Sequence, residues 1–282
     1  MASRAFPHAY PSGRAYLALA LGILCISSSA IFVKWAAVPG PASAFYRLLF
    51  AGIVMLPAWL ARRPAKVSTG DLRWILMASL FFALDLALWN TALLKTSAAS
   101  ATLLANAAPL WVGLGAWLFF RERWGGGFWL GMGLAFLGIG VVFGGDLGRH
   151  LHLGAGDLLA VLASLFYAAY LLSTQRIRER TDVFTLMALS MVVGSIFLYG
   201  LCRAMGVPLT CYSKRAWLAL LGLGLIAQAG GWLAINEALG HLRASLVSVS
   251  LLAQPVLTAL LAIPLLGESL SLEQIVGGLL VL

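Results

Sequence analysis

Asp85 and Trp89 stand four residues apart within a long apolar stretch, so on a helix a carboxylate and an indole face the same space. A carboxylate in hydrocarbon is costly, and by default it meets a partner or lines a cavity. Two roles fit Asp85: half of a structural pair with Arg47 or Lys95, or an attraction site for a substrate ammonium or a proton. Gln228, Trp232 and Asn236 recur at four-residue intervals and would share a stripe that either hydrogen-bonds a polar ligand under Trp232 or packs in a core. Glu237 and His241 form a neighbouring pair near the end of that stretch, where a solvated face is a plainer role than proton handling. Tyr167, Tyr170 and Thr174 share one face, mid-stretch rather than at an interface belt, and are expected to line a cavity.

Thr102, Asn106 and Pro109 align at i, i+4 and i+7, and Ser248, Leu252 and Pro255 repeat the arrangement. A proline inside a span removes a helix hydrogen bond and frees a carbonyl, so a kink is expected at each. Ser27, Ser28 and Ser29 suit helix packing and water lining equally, while Gly127, Gly131, Gly138, Gly277 and Gly278 offer smooth packing surfaces. No G-x-x-x-x-G-K-[ST] loop is present to cradle ATP phosphates, and no H-E-x-x-H to hold a catalytic zinc. Cys25, Cys202 and Cys211 make neither a disulfide framework nor a zinc site, so neither cofactor nor metal is expected. Asp85, Glu237 and His241 leave an intramembrane acid–base enzyme as an alternative, but no nucleophile stands beside a base. A binding-only scaffold is the third class.

The elements that must position these groups follow from composition. Of 282 residues 61% are hydrophobic and 10% charged, with mean hydropathy +0.94; a soluble domain carries about 25% charged residues. The bilayer is the solvent. A crossing helix takes roughly 20 apolar residues, which leaves room for about ten crossings and no sizeable soluble domain. The apolar runs fall near 15–37, 43–61, 72–94, 99–120, 126–145, 157–175, 183–202, 216–239, 244–266 and from 272 onward. They are too long for barrel strands, so the expected fold is an all-α membrane bundle of ten transmembrane helices. The last run reaches Leu282 after eleven residues; either the natural chain continues or the tenth helix is short.

The net charge of +9 reads as topogenic rather than as a nucleic-acid footprint, because the basic residues sit between the apolar runs. Twelve Lys and Arg fall in connections on the N-terminal side against six opposite, and Arg47 lies within a span. Both termini are therefore expected in the cytoplasm. Arg14 followed by Ala15 to Val33 is too long for a signal-peptide h-region and runs into Lys34-Trp35 rather than a small-residue cleavage site.

The sequence also repeats itself. Asn90 and Asn236, Ala92 and Ala238, Leu93 and Leu239, Ala98 and Ala244, Pro109 and Pro255, Glu122 and Glu268, and Gly131 and Gly277 are each 146 positions apart. Across 90–122 against 236–268, nine of thirty-three positions are identical without a gap, and Asn, Pro and Glu hold the register. Five helices per copy is an odd number, so the second copy must enter the membrane from the opposite face. Inverted repeats with binding near the midplane are the usual construction of secondary transporters. Arg121, Glu122, Arg123 and Glu268 are expected to anchor helix ends on the cytoplasmic side.

The pattern Asn90-Thr91-Ala92-Leu93 through Pro109 to Glu122, recurring as Asn236-Glu237-Ala238-Leu239 through Pro255 to Glu268, resembles the paired EamA domains of the drug/metabolite transporter superfamily. The segment from Asp85 to Trp111 further resembles the YddG-type amino-acid exporters of bacterial inner membranes. The resemblance covers the whole chain. It implies a cytoplasmic tail over 1–14, a first repeat over 15–145, a linker over 146–156 and a second repeat over 157–282, around a central cavity. It also implies a monomeric, multi-pass exporter in the bacterial inner membrane, with a small-molecule substrate and the lipid bilayer as partners and no nucleic acid. The second copy departs from the first, with Val193 matching Arg47 and Gly231 matching Asp85.

The residues favour a small zwitterion, an aromatic or other apolar amino acid; purines, sugars and cationic compounds are the alternatives. Trp89, Trp111, Tyr167, Tyr170 and Trp232 offer π surfaces, over which a cation gains roughly 0.5–2 kcal/mol. Asp85 is expected to attract the ammonium and Gln228 and Asn236 to donate to the carboxylate, with Asn90, Asn106 and Ser248 completing the lining. No mid-membrane cluster of Lys and Arg suits phosphorylated sugars or nucleotides.

Overall fold

Without water to satisfy it, backbone in hydrocarbon bonds to itself, and the apolar runs fold accordingly. The computed structural model describes residues 13–62, 67–108, 110–112, 154–178, 181–239, 250–251 and 253–281, with isolated positions between 114 and 141, and among these every regular element is helical. Helices α1 (Gly13–Ser27) and α2 (Ser29–Ala36) follow one another through Ser28, then come α3 (Gly40–Ala61), α4 (Thr69–Leu93) and α5 (Ala98–Ala105). The second half holds α6 (Ala155–Arg178), α7 (Val183–Ala204), α8 (Lys214–Gly222), a π-helical segment (Leu223–Gly230), α9 (Gly231–Leu239), α10 (Ala253–Leu266) and α11 (Leu272–Val281).

Six of these stretches are long and apolar enough to cross a membrane: Gly13–Ala36, Gly40–Ala61, Thr69–Leu93, Ala155–Thr174, Phe184–Ala204 and Lys214–Ile235; α10 is a shorter apolar helix. Most of the expected fifth run and the start of the ninth lie outside the described residues. Helix starts carry their own caps: the side chains of Ser68, Ser97, Asp182 and Ser213 accept from the backbone N–H of Asp71, Ser100, Thr185 and Ala216. Leu218, Ile196 and Leu21 are exposed on the outer surface, where lipid rather than water would meet them.

The bundle is built on three helix pairs. α4 packs along α6, α3 along α7, and α1 along α9. The third crossing is close because glycines face it: a Cβ at Gly22 would stand 2.8 Å from Ile235 Cγ1, and one at Gly231 2.8 Å from Ile26 Cγ2. Small residues permit such approaches in membranes, where packing rather than water drives association. The expected glycine surfaces at Gly127 and Gly131 meet nothing within 4 Å among the described residues.

One sequence expectation is corrected and another meets an unexpected winding. The stripe of Gln228, Trp232 and Asn236 presumed an α-helix, yet Leu223–Gly230 is π-helical. A four-residue step falls just short of one π turn and still returns close to the same face, so Gln228 reaches Arg47 at the cavity that Trp232 lines. Glu268, expected on the cytoplasmic side, instead pairs at 2.7 Å with Lys34, which follows the first apolar run and so counts among the six basic residues of the opposite side. That end of the bundle gathers Lys34, Thr96, Asp157 and Glu268. At the other, Trp59 Nε1 donates to Thr185 Oγ1 at 2.9 Å and the Arg62 guanidinium lies 4.1 Å from the Phe184 ring centroid.

Candidate functional site

The start of α3 is pressed onto the end of α4 by Gly40, where a Cβ would stand 2.5 Å from Thr91 N and 2.7 Å from its Cα. Beside that contact Asn90 Nδ2 donates to Ser43 Oγ at 2.9 Å. One turn further along α3 comes Arg47, and one turn back along α4 come Leu86 and Asp85, so the clamp brings a cation and an acid to the same depth of the bundle.

Arg47 is only 5% exposed and Asp85 7%. Arg47 Nε donates to Gln228 Oε1 at 2.6 Å. Its Cζ lies 5.8 Å from the Trp89 ring centroid, and its Nη1 is buried with no hydrogen-bond partner among the described residues. The two opposite charges do not reach ion-pair distance, which would be 4.0 Å. They share a cavity of about 110 Å³. Its walls are Ile26 and Ser29 from the first span, Phe82, Leu86 and Trp89 from α4, Thr102, Ala105 and Asn106 around the end of α5, Tyr167 from α6, Trp232 from α9, and Leu251 and Gln254.

Local structure explains how each wall is held. The π-helical segment lies against α3, since a Cβ at Gly224 would meet Phe50 Cβ at 2.6 Å and Arg47 O at 3.2 Å. Gln228, one turn on, reaches the Arg47 side chain from there. Tyr167 stacks on Tyr170 at 6.2 Å and Tyr170 on Phe82 at 4.7 Å, a row of rings backing the cavity. The serines of the first span donate to carbonyls of their own helix, Ser29 Oγ to Ile26 O at 2.6 Å, and Ser27 Oγ also lies 3.4 Å from Gln254 O.

Of the residues singled out from the sequence, Asp85, Trp89, Asn106, Tyr167 and Trp232 line this cavity. Gln228 stands behind it, bonded to Arg47. Tyr170 supports Tyr167 from outside the lining. Asn90 joins α4 to α3 and does not reach the cavity, and Trp111 donates to Ser164 Oγ at 2.7 Å away from it. Asn106 Nδ2 is turned back to Thr102 O at 2.8 Å. Glu237 is exposed on α9. Ser248, His241 and the Asn236 side chain lie outside the described residues. Arg47, Phe82 and Gln254 were not anticipated as lining. The signal for Arg47 was present, as a basic residue well inside an apolar run where Lys34 and Arg73 stand near run ends, but it was weighed only as a partner for Asp85.

Long apolar helices enclosing a charged and aromatic cavity define a multi-pass membrane protein. The chain belongs to the EamA-like transporter family, whose model matches residues 13–144 and 154–282. Relatives include the uncharacterized transporter YwfM of Bacillus subtilis, 26% identical over 80% of this chain and 76% of its own, and the uncharacterized transporter YdfC of the same organism, 25% identical over 83% and 77%. An uncharacterized transporter of Archaeoglobus fulgidus is 23% identical over 94% of this chain and 92% of its own. A solved crystal structure shares the fold with TM-score 0.65, at 22% identity over 95% of this chain and 94% of that one. Family and relatives point to a transporter rather than an enzyme.

Proposed function

We propose that the protein is a secondary transporter that exports amino acids with aromatic or other apolar side chains by alternating access. The observation that carries this reading is Asp85: a buried carboxylate with no ion-pair partner among the described residues, facing a cavity walled by Trp89, Tyr167 and Trp232. A primary ammonium satisfies the acid and a ring or aliphatic side chain suits the walls, the mix of few polar contacts and much apolar surface that small-molecule sites use. Ligand pockets usually measure about 300–1,000 Å³, so the cavity of about 110 Å³ must widen to hold such a molecule. Helices that part and close around a fixed site are what alternating access requires.

The helix pairing supports ten helices in two inverted repeats. Under the 146-residue register α4 corresponds to α8–α9 and α1–α2 to α6, so the α4–α6 and α1–α9 contacts are counterparts. Leu48 packs onto Gly194, its own counterpart, as two positions on a two-fold axis must. Charge bias supports an N-terminus in the cytoplasm, while the bacterial inner membrane and the monomeric state come from the resemblance to the YddG-type exporters alone. Export follows from the resemblance to the YddG-type exporters. The test is flux in proteoliposomes with a panel of amino acids, purines, sugars and sugar phosphates. Saturable flux of Phe, Trp, Met or Thr is expected; flux of sugar phosphates without these would overturn the reading.

A further inference from the structure

We propose that Arg47, held in place by Gln228, anchors a carboxylate on the transported molecule while Asp85 takes its ammonium, so that the cavity selects a zwitterion. This rests on the amino-acid reading above and assigns the half of it that Gln228 and Asn236 were expected to supply. Gln228 Oε1 is engaged by Arg47 Nε at 2.6 Å, which fixes the guanidinium and makes Gln228 a positioning residue. With Nε committed and the Trp89 ring 5.8 Å from Cζ, the outer donors remain, and Nη1 is buried without a partner among the described residues. A buried, unpaired guanidinium N–H is unfavourable in hydrocarbon. Asp85 is close enough to share the cavity but does not pair with it. The arrangement is therefore incomplete on both sides, and a molecule bearing both charges completes it. Arg suits this role because its planar donor fork matches a carboxylate.

The experiment measures affinity of the purified protein for three matched ligands: phenylalanine, phenethylamine, which lacks the carboxylate, and 3-phenylpropionate, which lacks the ammonium. Arg47→Gln is expected to weaken phenylalanine at least 10-fold and leave phenethylamine within two-fold. Asp85→Asn is expected to weaken phenylalanine and leave phenylpropionate within two-fold. Gln228→Leu should weaken phenylalanine and phenylpropionate together without touching phenethylamine, a split that general loosening would not give. If Arg47→Gln does not fold, Arg47→Lys keeps the charge, loses the fork, and is expected to show the same selective loss. A uniform change across the three ligands, or none, overturns the assignment. Wild type that binds the amine but not the amino acid also overturns it. Wild type that binds aliphatic but not aromatic carboxylates overturns the aromatic reading and keeps this one, provided Arg47→Gln weakens those ligands.

A different observation carries a second inference, independent of the substrate. Lys34, in the last turn of α2, pairs with Glu268 beyond the end of α10 at 2.7 Å and donates to Thr96 O at 2.8 Å. Both Glu268 carboxylate oxygens accept from Ala98 N, at 3.1 and 2.9 Å, so an acid from the second repeat caps the first helical residue of α5. Thr96 Oγ1 donates to Asp157 Oδ1 at 2.8 Å and draws in α6. Ser29 and Thr102 of the cavity wall lie five residues before Lys34 and four after Ala98, so the knot stands about 6–8 Å beyond the cavity on both helices. The register carries Lys34 onto Arg180, Ala98 onto Ala244 and Glu268 onto Glu122, so the sequence keeps both charges at the matching positions. We infer that the Lys34–Glu268–Ala98 knot is a latch closing the cavity at the outer end, released when the transporter opens outward.

The latch is tested with Thr102→Cys in a protein lacking Cys25, Cys202 and Cys211, labelled by a membrane-impermeant maleimide from the outer side of oriented vesicles. Glu268→Gln keeps an acceptor for Ala98 N–H and removes the charge; it is expected to raise the labelling rate at least three-fold. Lys34→Gln, which leaves the Glu268 cap in place, is expected to do the same and stands in if the first variant does not fold. Monodisperse variants that label at the parent rate, or faster from the inner side only, overturn the latch.

Discussion

Replacing Asp85 by asparagine removes one charge at nearly constant volume, and it separates a transport role from a folding role. No ion pair is lost in the resting structure, because Asp85 stands outside ion-pair distance of Arg47. The variant should therefore remain folded and monodisperse. On the proposed reading, what disappears is the charge-assisted contact to the substrate ammonium at a residue only 7% exposed. Hydrogen bonds to charged groups contribute about 1.5–3 kcal/mol, and each 1.4 kcal/mol is about tenfold in affinity. The KM for phenylalanine in proteoliposomes should rise about 10- to 150-fold. Initial rates across a concentration series, normalised to reconstituted protein and paired with size-exclusion profiles, give the comparison. A KM within two-fold of wild type in a monodisperse variant refutes the role for Asp85, and aggregation of the variant would mark the residue as structural instead.

Trp232→Ala removes one wall of the cavity and is expected to lower flux of phenylalanine and tryptophan while the protein stays monodisperse; intact aromatic flux would show that the wall is wrongly assigned. Gly40→Ala forces a Cβ to within 2.7 Å of the Thr91 backbone, and overpacking of this kind costs about 1–3 kcal/mol, so a lower Tm in detergent is expected and an unchanged one would deny the α3–α4 clamp. Cysteines placed at Arg62 and at Arg178 should label from the same side of the membrane. Labelling from opposite sides would overturn the five-helix repeats.

The sequence carried the membrane class, the apolar spans and the repeat because each rests on many residues at once: twenty apolar positions mark a span, and Asn, Pro and Glu in one register mark the duplication. Asp85 and Trp89 were readable because a helical turn fixes their relation and an acid in hydrocarbon has few uses. The π-helical winding around Gln228 is not signalled by hydrophobic periodicity; only the glycines around it, which let the segment press onto α3, hint at it. Asn90 and Trp111 were polar groups in the right helices, but their partners, Ser43 and Ser164, sit on other helices and pull them out of the cavity. Arg47 needed the third dimension, since nothing in its neighbourhood in the chain says that Gln228, 181 residues away, would hold its guanidinium.

The central claim, that the cavity carries an intact amino acid across the bilayer, is most directly tested by counterflow. Proteoliposomes loaded with unlabelled phenylalanine are placed in a trace of labelled phenylalanine, and the trapped label is recovered and its chemical form determined. Transient accumulation of unchanged label, seen only in loaded vesicles and weakened by Asp85→Asn, is the expected result. Absence of accumulation in wild-type vesicles, or recovery of a converted product, would contradict the account.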